Sequence, residues 1–220
     1  MARCYSAAMR QRQTFASIGL PQICPRLWLI SDARNDAMLE QTLASLPRGS
    51  GLVFRHYHLA PAERRRRFDA LARLARRRGH IVALSGDAAL ARRWRADAAY
   101  GPARRLVHGP ALPRLVTVHS LRELGAATRA RVDAVLLSPV FPTRSHPVAP
   151  ALGPVRFRLL AAHSPVPVIA LGGMNRRSAR RCQAASWAAV DGLCDEATLF
   201  SARPEPVEGE IPQGFLTESH

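Results

Sequence analysis

The chain of 220 residues is long enough for one domain with a sizeable core and short for two independent ones. Its 47% hydrophobic and 22% charged content is that of a globular protein, and no apolar run approaches the roughly 20 residues needed to cross a bilayer, which excludes a helical membrane protein. The formal charge of +16, carried entirely by arginine, raises the question of nucleic acid. Aromatic interleaving and any RNA- or DNA-binding motif are absent, so the cations are expected to be mainly a solvated surface rather than a nucleic-acid footprint.

Residues 1–25 are expected to be a disordered N-terminal extension. Met1 to Gly19 holds Arg3, Arg10 and Arg12 with no acidic residue and no apolar segment, which resembles a transit peptide faintly and a secretory signal not at all. From residue 26 onward, short apolar runs alternate with Arg/Ala/Leu stretches of helical period. Strands are expected at Leu27 to Ile30, Leu52 to Arg55, Ile81 to Leu84, Ala98 to Tyr100, Leu115 to Val118, Ala134 to Leu137, Val166 to Leu171 and Trp187 to Val190. Helices are expected at Asp36 to Leu46, Pro61 to Arg78, Asp87 to Arg95, Leu121 to Arg131, Pro154 to His163 and Asn175 to Ala185, with Pro61 and Pro154 suited to first turns. The second helix carries the densest basic cluster, Arg64 to Arg67, Arg73 and Arg76 to Arg78, opposite an apolar stripe of Phe68, Leu71, Leu74 and Ala75.

Gly101 to Arg114 contains three prolines and reads as loop, and after Leu193 the last helix is expected to be short. A disordered acidic tail is expected over 203–220, led by Arg203 to Glu210. Cys4, Cys24, Cys182 and Cys194 lie far apart without CxxC spacing, which fits a reducing cytoplasm and neither a zinc site nor a disulfide framework.

Eight strands in this alternation predict a (β/α)8 TIM barrel over 26–202, and the turn Ser31 to Asp36 lacks the glycines of a dinucleotide fold. Catalytic groups in such a barrel sit where strands run into the following loops. Those positions nominate Arg55, His56, Ser85 to Asp87, His119, Ser138 to Thr143, Gly172, Gly173, Asp191 and Gly192. Gly172 and Gly173 can be a phosphate cradle or a tight turn; His119 can be an acid/base group or a hydrogen-bonded rim histidine; Arg55 can bind an anion or brace the fold. A metal pair at His56 and His58 has no third ligand nearby in sequence.

The stretch Ser138-Pro139-Val140-Phe141-Pro142-Thr143-Arg144-Ser145-His146, followed by Gly153, resembles the Gly-Pro-Ile/Val-Phe/Tyr-Pro-Thr-x-Ser/Thr-Lys segment of the thiamine phosphate synthase/TenI family. Val118-His119-Ser120 one strand earlier and Pro165 to Met174 one strand later are similar to the same family in order and spacing. The resemblance implies a barrel that binds phosphorylated thiazole and pyrimidine ligands, and a synthase that couples a hydroxymethylpyrimidine diphosphate to a thiazole phosphate with Mg2+. It implies substrate-binding roles for Ser138, Thr143, Ser145, Gly172, Gly173, Asp191 and Gly192, and catalytic roles for Arg55, His119 and His146.

The chain also departs from the family pattern. Of the family's Gln-x-Arg-x-Lys only Arg55 remains; the metal-binding Asn-Asp becomes Ser85-Gly86, with Asp87 adjacent as a weak metal candidate; and Gly101 to Arg105 holds no acid. A degenerate metal site is therefore expected, with His146 in place of the family's lysine. TenI-type members share the glycine at Gly86, but their tautomerase histidine falls on Ser138. Three functions stay open: a synthase-type transferase, a TenI-like enzyme or non-catalytic binder of thiazole or thiamine phosphate, and another phosphate-binding or basic-surface protein.

Overall fold

A computed structural model of the chain describes residues 24–130, 132–144 and 150–194. Eight parallel strands close into one barrel in sequence order: β1 (Leu27–Ile30), β2 (Gly51–Phe54), β3 (Ile81–Ser85), β4 (Ala98–Pro102), β5 (Arg114–Val118), β6 (Ala134–Leu137), β7 (Val168–Ala170) and β8 (Ser186–Ala189). The barrel shuts where β1 meets β8, with Leu29 opposite Ala189. It is the predicted TIM barrel. The expected N-terminal extension lies outside the described residues up to position 23, while Cys24 to Arg26 sit on the barrel base, where the Trp187 N–H donates to the Arg26 carbonyl. The expected acidic tail and the end of the last helix also lie outside the described residues.

Alternation along each strand divides the core into two shells. Trp28, Ile30, Val53, Ile81, Leu115 and Leu136 point into the barrel, while Leu29, Leu52, Phe54, Val82, Leu84 and Val116 point outward beneath the helices. Trp28 fills the interior so fully that β2 must pass it as Gly51, whose added Cβ would overlap the indole ring. Small residues at Ala83, Ala98, Ala134 and Ala188 offset that bulk elsewhere in the interior shell.

The helices are α1 (Leu39–Ser45), α2 (Pro61–Arg77), α3 (Ala88–Arg93), α4 (Ala103–Leu106), α5 (Leu121–Arg129), α6 (Gly153–Ala162) and α7 (Arg176–Cys182). Two helical segments and one strand differ from expectation for identifiable reasons. The helix expected from Asp36 is preceded by a 3-10 segment, Ala33–Met38, because Asp32 and Asn35 form a reciprocal capping box and Asn35 Nδ2 donates to the carbonyls of Ile30 and Val190. Strand β7 is shorter than predicted, since Pro165 and Pro167 have no N–H for the ladder and Gly172 turns the chain at φ 92°. The proline-rich connection after β4 contains the one-turn helix α4.

Helix α2 has the predicted amphipathic form, with Phe68, Leu71, Ala72 and Ala75 buried. Its basic face is only partly solvated, contrary to the simple reading of the arginine run. Arg66, Arg73, Arg76 and Arg77 are exposed, whereas Arg64 turns inward and braces the carbonyls of Arg55 (2.8 Å) and Ser85 (2.7 Å) under the Phe54, Tyr57 and Trp94 rings. Among the described residues no helix is long and apolar enough to cross a membrane.

Candidate active site

A cavity of about 720 Å³ opens at the C-terminal ends of the strands, within the size range of small-molecule sites. Arg34, Arg55, Arg144 and His119 supply its basic groups, Tyr57 and Tyr100 its aromatic ones, and Asp191 its carboxylate. The structure thus brings together Arg55, His119, Ser138, Thr143, Gly172, Gly173, Asp191 and Gly192 in one concavity. Ser145 and His146 lie outside the described residues.

The β1 and β2 ends form a charged unit. Asp32 lies 3.1 Å from Arg34 Nε and 3.5 Å from an Arg55 guanidinium nitrogen, and Arg55 also sits 5.7 Å from the Tyr57 ring centroid. Partial burial works to raise the Asp32 pKa, but hydrogen bonds from Arg34 and the charges of Arg34 and Arg55 outweigh it and hold the carboxyl below its ordinary range. The ionised Asp32 therefore fixes two arginines at the rim of the same cavity.

Behind them runs a buried relay. The Arg55 N–H donates to Ser31 Oγ (2.9 Å), the Ser31 hydroxyl lies 2.8 Å from His56 Nδ1, and His56 Nε2 lies 2.8 Å from Asp36, which also accepts from Arg67. One neutral tautomer serves both bonds, with Nδ1 accepting from Ser31 and Nε2–H donating to Asp36. The order Ser-His-Asp is that of a hydrolytic triad, but Ser31 is wholly buried and its oxygen already takes the Arg55 N–H. The relay is structural: it shapes the turn at His56 (φ 41°) from which Arg55 projects.

Burial pushes the His56 pKa below its usual value despite the opposing pull of Asp36, and burial does the same at His80. An imidazole neutral in the fold is protonated in the unfolded chain below about pH 6.5. Its contribution is complete above that pH and is lost as pH falls toward the depressed folded value. Calorimetric Tm should therefore decline as pH falls below about 6.5, and His56→Gln should flatten that decline. An unchanged slope in the variant would assign the acid sensitivity to other groups.

Across the mouth, His119 Nδ1 lies 2.8 Å from the Ser138 carbonyl and 3.3 Å from Ser138 Oγ. Nδ1 is thus the protonated nitrogen, which leaves Nε2 with a lone pair able to accept a proton. The His119 N–H donates to the Glu123 carboxylate, and the Glu123 N–H in turn donates to Ser120 Oγ, the N-cap of α5, so the histidine rides on a fixed helix start.

Gly172 and Gly173 have a packing reason for being glycine besides any ligand. A Cβ on Gly172 would come within 2.8 Å of Pro139, and one on Gly173 within 2.5 Å of the Pro142 carbonyl, so the loop after β6 lies directly on the loop after β7. Val140 and Phe141 N–H groups donate to the Leu171 and Gly172 carbonyls and lock that contact. Gly192 likewise has no room for a side chain beside the Met174 carbonyl. Asp191 faces the cavity and reaches Arg34 at 3.5 Å, so its charge is partly met by an arginine on the neighbouring β1 loop.

Asp87, the weak metal candidate, accepts the Leu90 N–H at 2.7 Å as the N-cap of α3 and does not line the cavity. Among the described residues no group of three or more His, Cys, Asp or Glu is placed to hold a metal ion. Asp191 is the one carboxylate among the described residues that line the cavity, whereas Mg2+ is usually held by one or two carboxylates together with substrate phosphates. Asp87→Ala should cost about 1 kcal/mol of stability through loss of the cap. Thermal melts with and without Mg2+ check this: a cap gives the same loss in both, whereas a metal ligand gives a loss only with the ion.

The thiamine monophosphate synthase family model matches residues 27–193. The chain belongs to this family. A thiamine phosphate pyrophosphorylase from Pyrococcus furiosus superposes with a TM-score of 0.68 at 20% identity, covering 80% of this chain and 93% of that one. FabK from Thermotoga maritima follows at 0.60 and 13%, covering 78% and 60%, and an HpcH/HpaI aldolase/citrate lyase family protein from Burkholderia cenocepacia at 0.55 and 14%, covering 81% and 91%. At these identities the solved structures show the fold alone. No curated protein matches significantly in sequence.

Within this thiamine monophosphate synthase barrel, sequence reasoning missed Arg34, Tyr57, Tyr100 and Thr117 as cavity residues. Tyr100 and Thr117 stand near the ends of β4 and β5, where position alone nominates them. Arg34 had a weaker signal, because it lies four residues past the end of β1 and reaches the mouth only through the 3-10 turn.

Proposed function

We propose that this barrel is a transferase of the thiamine phosphate synthase type, working in the cytoplasm, in which arginines take up charge that the family otherwise assigns to metal. The observation that carries it is the placement of Arg34 and Arg55 on one carboxylate at the rim of a 720 Å³ cavity, opposite His119 and Ser138. In the coupling, a carbon–oxygen bond of the pyrimidine diphosphate breaks, a ring nitrogen of the thiazole phosphate bonds to that carbon, and pyrophosphate leaves. A departing polyanion needs preorganised cations, and planar guanidinium groups donate to phosphate oxygens in pairs. Tyr57 and Tyr100 offer aromatic surface to the two heterocycles.

The test is formation of thiamine phosphate from the two family substrates, with and without Mg2+. Arg55→Ala should lower kcat/KM by about 10- to 1000-fold, corresponding to roughly 1.5–4 kcal/mol of charged hydrogen bonding. Arg55→Lys should recover only part of this, since an ammonium lacks the paired geometry. Wild-type protein that makes no product at any pH would sink the transferase.

A second function is favoured by one observation, the His119 and Ser138 pair. Ser138 stands where the resemblance places the TenI-type proton-shuttling histidine, and His119 puts an imidazole beside it. A TenI-like enzyme or binder would hold thiazole or thiamine phosphate in calorimetry without forming a new carbon–nitrogen bond.

A further inference from the structure

The two carboxylates at the mouth are held unequally. Asp32 pairs with Arg34 and Arg55, and also accepts the Arg34 backbone N–H as the cap of the 3-10 turn, so it is committed to the fold. Asp191 reaches only Arg34 among the described residues, at 3.5 Å, from the tip of β8, and its side chain is 37% exposed. Arg34 therefore meets Asp32 through Nε and Asp191 through a terminal nitrogen. One terminal nitrogen of this cavity-lining arginine is thus already met by a resident anion.

We propose that Asp191 is an intramolecular counter-anion that occupies Arg34 in the ligand-free protein and is displaced when a phosphate or diphosphate group enters. The inference rests on the phosphate-ligand reading of this cavity and adds a charge filter to it. A ligand must offer Arg34 more than a single carboxylate does. A diphosphate, with several charges spread over many oxygens, can engage Arg34 and Arg55 together across Asp32, whereas a monoanion exchanges one single-charge partner for another. The exchange also explains how a carboxylate is tolerated beside an anion site: the filter costs affinity for every anion and costs polyanions least.

The experiment is calorimetric titration of the full chain with pyrophosphate and with acetate, free of divalent ions, for wild type, Asp191→Asn, Arg34→Gln and the double variant. Both positions are partly exposed, and circular dichroism melts confirm folding. Asp191→Asn should tighten pyrophosphate binding by about two- to fivefold, the scale of a partly exposed ion pair, and should narrow the preference for pyrophosphate over acetate. In the Arg34→Gln background the same substitution should have less than about half that effect in log units. Unchanged or weaker binding in Asp191→Asn overturns the proposal, as does an equal gain in both backgrounds, which would reduce Asp191 to a general repulsive charge. Absence of pyrophosphate binding in every variant overturns both the counter-anion and the phosphate-ligand reading. Coupling without thiamine phosphate formation overturns the transferase alone.

Discussion

Gly51→Val is expected to destabilise the barrel by about 3 kcal/mol or more, at the top of the range for overpacking a core. Any Cβ at Gly51 overlaps the six-membered ring of Trp28, which is wholly buried inside the barrel beside Ile30, Val53 and Ile81. An indole closed in on all sides cannot swing away as the end of a long flexible side chain can. The strand cannot retreat either, because Gly51 is in register with both Trp28 and Ile81. Denaturant unfolding measures the loss. Trp28→Leu supplies the control: alone it leaves a cavity and destabilises, but combined with Gly51→Val it should restore part of the loss, giving a strongly non-additive cycle. Simple additivity would mean that the clash is relieved elsewhere.

Phe54→Ala should cost about 3–5 kcal/mol, or roughly 6–20 °C in Tm. The ring is wholly buried at the end of β2, stacked on His56 at 4.8 Å, edge-on to Phe68 at 5.4 Å, and covered by the Arg64 guanidinium at 5.7 Å. Its removal takes away the support of the His56 imidazole and of the arginine that braces the Arg55 carbonyl. Ligand affinity should consequently fall along with stability, even though Phe54 does not line the cavity. Phe54→Leu keeps most of the volume and should lose far less of both. A full stability loss with unchanged pyrophosphate binding would show that Arg55 is held by the Asp32 pair alone.

The fold was legible because its information is local. The short apolar run Leu27 to Ile30, the apolar stripe of α2 and the prolines at helix starts each act within a few residues, and eight such units in series leave few architectures. Strand ends were equally legible, and through them Arg55, His119, Ser138 and the glycines after β7. Boundaries that depended on a distant partner were not. The 3-10 turn at Ala33–Met38 exists because Asn35 bonds to the Val190 carbonyl, 155 residues away in sequence. No local propensity encodes that bond.

The sequence by itself determined the parallel barrel, the family resemblance and the set of strand-end residues, since spacing along the chain decides which side chains reach the barrel mouth. Tertiary structure alone decided what those residues do to one another. It turned Asp87 into a helix cap, Arg64 into a brace and His56 into a buried relay, and it made Gly172 and Gly173 the contact surface for the loop after β6. It also brought Arg34 to Asp191 across the closing seam of the barrel. Hydrogen bonds and ion pairs depend on distances of about 3 Å, and residues from opposite ends of a chain reach such distances only once the sheet has closed.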